Sequence, residues 1–213
     1  LVQRMLAYDL IGFQTAADCD NFASYLRSEL GLAVKGGVAT SHYGASRLAA
    51  FPIGIDVDVF ATQAARAALH PEVSRLRKSL EGKRLAIGVD RLDYSKGLIN
   101  RVTAFDRMLE LYPELSRTVS FLQIATPSRG GIEAYSDLQE ELAKRISSVN
   151  GTHGEVDWTP IRYLNKGFSQ TVLAGFYRAA RVGVVTPFYD GMNLVAKEYV
   201  AAQNPEDPGV LIL

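Results

Sequence analysis

Apolar and polar residues alternate along this chain in two rhythms, and the change from one to the other maps its elements. Residues 1–8 follow an amphipathic pattern that reads as the end of a helix, and Tyr8-Asp9-Leu10-Ile11-Gly12-Phe13 reads as a short strand. Phe22, Tyr25, Leu26 and Leu30 then recur at helical spacing, with Thr15 or Asp18 as the cap and Gly31, Gly36 and Gly37 as breakers. Residues 38–50 are ambiguous; Val38, Tyr43 and Leu48 suit strands of an antiparallel or edge kind. The segment from Ala50 to Asp56 joins Pro, Gly and an extended pattern, which marks a boundary. A helix starts near Val57, residues 61–82 are helical by composition, and Pro71 opens a second helix.

From Lys83 the pattern becomes a regular exchange of β-branched runs and helical stripes. Strands are expected at Arg84–Val89, Val119–Ile124, Ile161–Leu164, residues 182–186 and residues 209–213, the last as a buried parallel strand. Between them, Leu98, Val102, Phe105, Leu109 and Tyr112 mark one helix face, and Tyr135, Leu138, Leu142 and Ile146 a second. A polar loop is expected around Asn150-Gly151. Phe168, Val172, Leu173 and Phe176 line a third helix, and residues 192–203 form a fourth. Strands alternating with helices of this length imply an α/β fold with a mostly parallel sheet and right-handed crossovers. Both termini look cut: the chain opens within an amphipathic pattern and closes on a strand, so a fragment of a longer protein is expected.

The 213 residues carry 23 basic and 23 acidic side chains. Zero net charge argues against a general nucleic-acid surface, which needs a basic excess. One cysteine, Cys19, leaves no intramolecular disulfide to form and fits a reducing compartment. No apolar run is long enough to span a bilayer, and no stretch reads as a secretory leader. His42, His70 and His153 are scattered, no zinc-ligand spacing occurs, and neither a dinucleotide fingerprint nor a phosphate-binding lysine loop is present.

In open parallel sheets the ligand sits outside the carboxyl ends of the strands. Four strand ends therefore matter: Asp90 to Gly97, Ser128-Arg129-Gly130, Asn165 to Phe168, and Pro187 to Glu198. The last reads as strand, tight polar turn and helix, and the first N–H groups of such a helix attract an anion, most often a phosphate. Arg91 and Lys96 place fixed positive charge at a neighbouring end, as a leaving diphosphate requires. Each residue also has a plainer role open to it. Arg91 can pair with Asp93, Arg129 can be a solvated loop residue, Asp190 can cap the last helix, and Glu198 can be an ordinary surface carboxylate.

Three segments carry a resemblance. Gly88 to Gly97 (GVDRLDYSKG), Ala50 to Asp56 (AFPIGID) and Asp190 to Glu198 (DGMNLVAKE) are similar to motifs of the trehalose-6-phosphate synthase family of retaining nucleotide-sugar glucosyltransferases, and the likeness runs over essentially the whole chain. It implies a glycosyltransferase-B architecture of Rossmann-like domains. Residues 1–50 would be the end of the acceptor-side domain, 51–82 the interdomain linker and helices, and 83–213 the donor-binding domain, truncated at its C-terminus. The implied reaction moves glucose from UDP-glucose to glucose 6-phosphate with retention, with no metal and no other cofactor. By the same resemblance Arg91, Lys96 and Asp190 are catalytic: the first two neutralise the departing diphosphate, and Asp190 holds hydroxyls of the transferred sugar. Gly191, Met192, Asn193, Leu194 and Val195 meet the donor at the helix start, Glu198 holds the ribose, the Phe168 loop lies against the base, and Arg129 binds the acceptor phosphate.

The partners implied are a nucleotide sugar and a sugar phosphate, with no nucleic acid or membrane, in the cytoplasm; a homo-oligomer of the full-length protein stays open. Two departures stand out. The family's upstream acceptor-site segments are not in the chain, and Ser169-Gln170 replaces a basic residue that often follows the Phe168 loop. Another retaining glycosyltransferase of the same fold, or an inactive synthase-like regulatory module, remains an alternative.

Overall fold

The computed structural model describes residues 1–127 and 133–213, the side chains of 133–135 excepted. These residues form two compact units, Leu1–Gly54 and Ile55–Leu213.

The first unit holds α1 (Val2–Met5), β1 (Leu10–Phe13), α2 (Ala16–Ser28), β2 (Val34–Lys35), β3 (Val38–Ser41) and β4 (Gly44–Ala50). Its sheet runs β1-β4-β3-β2, parallel between β1 and β4 and antiparallel elsewhere. Helix α2 starts where it does because Thr15 and Asp18 cap it together: Thr15 Oγ1 accepts from the Asp18 N–H at 3.1 Å, and Asp18 Oδ2 accepts from the Thr15 N–H at 3.0 Å. Leu26, Ile11, Ala39 and Leu48 close the small core. Tyr25 and Tyr43, read as core or strand positions from spacing, are exposed; Tyr43 sits in the β3–β4 turn.

The second unit begins with α3 (Val57–Ala67), capped by Asp56, and α4 (Pro71–Leu80), with Pro71 at its first position. Then follow β5 (Arg84–Arg91), α5 (Leu98–Leu111), β6 (Val119–Thr126), α6 (Glu133–His153), β7 (Ile161–Leu164), α7 (Gln170–Ala179), β8 (Val182–Val184), α8 (Leu194–Ala202) and β9 (Val210–Ile212). All five strands are parallel, in the order β7-β6-β5-β8-β9. Alternate side chains of β5 explain the three-layer build. Leu85, Ile87 and Val89 join the core under α3, α4, α7 and α8, while Ala86 joins the core under α5 and α6. Burial of this kind contributes roughly 1.5–3 kcal/mol for each large apolar side chain.

Three expectations change. Asn150 and Gly151 lie within α6, not in a loop. The Asn150 amide donates to the Ile161 carbonyl and accepts from the Ile161 N–H, both at 2.9 Å, so a tertiary clamp overrides a turn-forming pair. Strand β9 is parallel as expected but is a sheet edge, with Val210 and Ile212 exposed instead of buried. Tyr112 follows α5 as its exposed C-cap and is not part of its buried face.

Candidate active site

The order of the strands locates a crevice before any side chain is considered. From β5 the chain crosses to β6 through α5, on one face; from β8 it crosses to β9 through α8, on the other. Neighbouring strands whose connections leave on opposite faces part at their carboxyl ends, and ligands bind there. Here β5 and β8 pair only at Ala86–Val182 and Ile87–Gly183. At this point a cavity of about 360 Å³ opens, lined by Asp90 and Arg91 from β5, Lys96 from the next turn, and Asp190, Met192, Asn193, Leu194, Val195 and Glu198 from the segment after β8. Eight residues marked out by the sequence reading thus meet in one place: Arg91, Lys96, Asp190, Met192, Asn193, Leu194, Val195 and Glu198.

The turn that presents Lys96 is built locally. Asp93 Oδ1 accepts from both the backbone N–H and the hydroxyl of Ser95 at 2.8 Å, which sets a single 3₁₀ turn over Tyr94–Lys96. Those two bonds hold the Asp93 carboxyl below the usual carboxylate range. Asp93 is thereby engaged with Ser95, and no Arg91–Asp93 ion pair occurs among the described residues. Gly97 ends the turn with φ +63° and starts α5; a Cβ there would lie 2.8 Å from the Thr186 carbonyl, so glycine is needed for both conformation and space.

The loop after β8 is tied to this turn. The N–H of Phe188 donates to the Ser95 carbonyl at 2.8 Å, and Lys96 Nζ donates to Asp190 Oδ2 at 2.6 Å. Asp190 is not the helix cap. Asn193 caps α8, its Oδ1 accepting from the Ala196 N–H at 3.1 Å, while its Nδ2 donates to Asp190 Oδ2 at 3.0 Å. The local sequence suits either residue as a cap; Lys96, on another loop, draws Asp190 away. The N–H groups of Leu194 and Val195, first in the helix, have no partner within it.

The charges are set by the surroundings. Burial alone would push the Asp190 carboxyl up, but the hydrogen bond and charge of Lys96, with bonds from Asn193 and the Met192 backbone, hold it below the usual range. Burial pushes the Glu198 carboxyl up, and the polar groups of Tyr177 and Gln170 facing it offset part of that. Burial and the nearby Glu198 charge push the Tyr177 phenol well up. Its hydroxyl is buried with no partner of good hydrogen-bond geometry among the described residues.

A pH effect follows from Asp190. Its pKa is lower folded than unfolded, so the unfolded chain binds more protons between the two values, and stability rises with pH across that window. Its contribution is present above the ordinary carboxylate pKa and lost as pH falls through the folded value. Asp190→Asn is expected to flatten the acid limb of a stability–pH profile measured by urea unfolding; an unchanged limb would show that Lys96 and Asp190 do not pair in solution.

Two marked residues lie apart from the cavity lining. Gly191 is exposed in the turn. Phe168 is half-buried, edge-on to Phe176 with ring centroids 5.3 Å apart, and Lys166 Nζ sits 5.0 Å above its ring. Arg129 falls outside the described residues.

A buried ionic group lies directly beneath the site, joining Asp90 to Arg101, a residue that the strand-end pattern does not mark. Arg101 Nη1 donates to Asp90 Oδ2 at 2.5 Å and to Gln123 Oε1 at 3.1 Å; the Arg101 and Asp90 side chains are 2% and 3% exposed. Burial pushes the Asp90 carboxyl up, and the Arg101 charge pulls it back in part. The available signal was positional: Arg101 shares a helix face with Leu98 and Phe105, where only apolar residues are expected. Among the described residues no group of three or more His, Cys, Asp or Glu side chains gathers to hold a metal ion, and no helix is long and apolar enough to cross a membrane.

The chain is similar to known proteins over nearly its whole length. The chain is 47% identical over 207 residues to the trehalose-6-phosphate synthase of Sinorhizobium fredii, an alignment covering 97% of this chain and 45% of that protein. An alpha,alpha-trehalose-phosphate synthase (UDP-forming) from Burkholderia xenovorans, solved in complex with glucose-6-phosphate, superposes with a TM-score of 0.94 at 44% identity, over 99% of this chain and 47% of that one. The trehalose-6-phosphate enzyme from E. coli bound with UDP-2-fluoro glucose superposes with a TM-score of 0.92 at 41% identity, over 99% and 47%. The chain thus spans about half the length of the relatives it matches, and its α/β architecture is of their glycosyltransferase-B type. Glycosyltransferase family 20 matches residues 1–213, from the first residue to the last, and the chain belongs to that family.

Proposed function

We propose that this chain is the donor-binding part of a trehalose-6-phosphate synthase, an enzyme that transfers glucose from UDP-glucose to glucose 6-phosphate. The observation that carries this reading is the cavity between β5 and β8. It sets Arg91, Lys96 and the start of α8 against one another, with Asp190 and Glu198 on its wall. A nucleotide diphosphate needs the first group; sugar and ribose hydroxyls need the second. Relatives bound to glucose-6-phosphate and to UDP-2-fluoro glucose, at 44% and 41% identity, support both substrates.

In this reaction the bond from the anomeric carbon to the diphosphate oxygen breaks as a bond to the acceptor hydroxyl forms on the same face. The hydroxyl proton passes to the leaving phosphate. Arg91 and Lys96 neutralise the charge that develops on the diphosphate, so no metal or other cofactor takes part. The Phe168 loop meets the base, Gly191 gives the backbone access to the donor, and Arg129 holds the acceptor phosphate. Residues 1–50 supply the end of the acceptor-side domain. A cytoplasmic site fits a chain with one cysteine.

The test is a calorimetric titration of UDP into the folded chain. Binding is expected, weakened at least about 10-fold by Arg91→Ala. Absence of binding at millimolar UDP, with the protein folded, would overturn the reading. In the full-length protein, Arg129→Ala is expected to raise the KM for glucose 6-phosphate; an unchanged value would remove Arg129 from the acceptor site.

A further inference from the structure

Lys96 and Asp190 stand on two loops from different strands, yet both loops are tied to one buried guanidinium. Arg101 Nη2 donates to the Lys96 carbonyl at 3.4 Å, and Arg101 Nε donates to Thr186 Oγ1 at 3.1 Å, at the root of the loop that carries Asp190. The remaining nitrogen engages Asp90, near the end of β5, and Gln123, within β6. Gln123 is itself fixed, its amide donating to the Gly88 and Ile124 carbonyls at 3.2 and 3.1 Å. The side chain thus bridges the region where β5 and β8 cease to pair: Asp90 and Thr186 each lie three residues past the last paired couple, Ile87–Gly183.

The surroundings are shaped for this group. A Cβ on Gly88 would lie 2.7 Å from Arg101 Nη1 and 2.9 Å from Gln123 Oε1, so a larger residue at this central strand position would displace the network. Only a planar fork with several fixed donors reaches acceptors on four separate segments at once; a lysine ammonium on a flexible stem cannot. A buried ion pair is a poor source of net stability, because desolvation offsets most of the attraction. Its location, under the two loops that frame the cavity, is what calls for explanation.

We propose that Arg101 is a positioning residue for the transfer reaction: it ties the Lys96 turn and the Asp190 loop to strands β5 and β6, so that Lys96 stands where charge develops on the diphosphate. Arg101 touches neither substrate and acts through Lys96. The kinetic consequence rests on the function proposed above; the geometric one does not.

The experiment uses the full-length protein and the variants Arg101→Lys and Thr186→Val. Arg101→Lys keeps a positive charge beside Asp90 while losing the fork. Thr186→Val removes one link and leaves the Asp90 pair intact, which keeps the test available if the first variant folds poorly. Arg101→Lys is expected to lower kcat about 10- to 100-fold with the UDP-glucose KM within about 3-fold of the parent, and Thr186→Val to lower it less. In a Lys96→Ala background neither is expected to lower kcat further, because a residue acting through Lys96 has nothing left to position. Folded variants with unchanged kcat, or losses that multiply with that of Lys96→Ala, would overturn the proposal.

A second readout needs no turnover. The Asp190 carboxyl, followed by carbon-13 NMR, is expected to titrate below the usual range in the parent and to move toward it in both variants. An unmoved titration would overturn the positioning role. An inactive parent whose titration moves as expected would overturn the assigned reaction and leave the positioning role standing.

Discussion

Arg91→Ala in the full-length protein is expected to lower kcat for glucosyl transfer by about 10²–10³-fold, the loss typical when one fixed group that stabilises developing charge is removed. Arg91 ends β5 at the mouth of the cavity and is exposed there, so its guanidinium is available to an incoming diphosphate. The diphosphate carries more negative charge as it leaves than as it binds. An interaction stronger in the transition state than in the ground state appears in kcat as well as in affinity. Arg91→Lys is expected to recover part of the loss, since it restores the charge without the paired hydrogen bonds. Steady-state release of UDP with both substrates saturating is the measurement. A loss below about 10-fold would place Arg91 outside the chemistry.

Asp90→Ala is expected to destabilise the second unit by about 3–5 kcal/mol, the usual cost of removing one partner of a buried ion pair. The Arg101 guanidinium would keep its Gln123, Thr186 and Lys96 acceptors but lose the carboxylate that balances its charge. The double variant Asp90→Leu with Arg101→Met is expected to recover most of that stability, because it removes the buried charge altogether. Urea unfolding at neutral pH checks both. A cost under about 1 kcal/mol for Asp90→Ala would mean that water reaches the guanidinium from the cavity above. The contrast with Arg91 is instructive: the two arginines lie close to one strand end, and one is placed to meet ligand while the other holds the frame.

Much of this protein is legible from local chemistry. The exchange of β-branched runs with helical stripes after Lys83 determines a parallel sheet, since side-chain period follows directly from backbone geometry. Thr15 with Asp18, Asp56 and Pro71 set helix starts through bonds or dihedral limits that act within a few residues. The rule that strand ends carry ligands, together with the charged residues found there, was enough to bring Arg91, Lys96, Asp190 and Glu198 forward, and the cavity contains all four.

What the sequence left open depends on partners far along the chain. Whether Asp190 caps a helix or meets Lys96 is a competition between a local N–H and an ammonium 94 residues away, and pattern cannot weigh them. Asn150-Gly151 reads as a turn until the Ile161 backbone is there to be clamped. The final strand's apolar run is the same whether another strand lies beside it or not, so only the sheet order shows an edge. Arg101 is the clearest case. Its place on an apolar helix face signals a buried charge, but four acceptors on separate segments converge on it only once the sheet is assembled. The sequence by itself determined which residues could carry the chemistry, because residue type and strand-end position are local properties. The tertiary structure alone decided which of them hold one another in place, because distance between segments is not a local property.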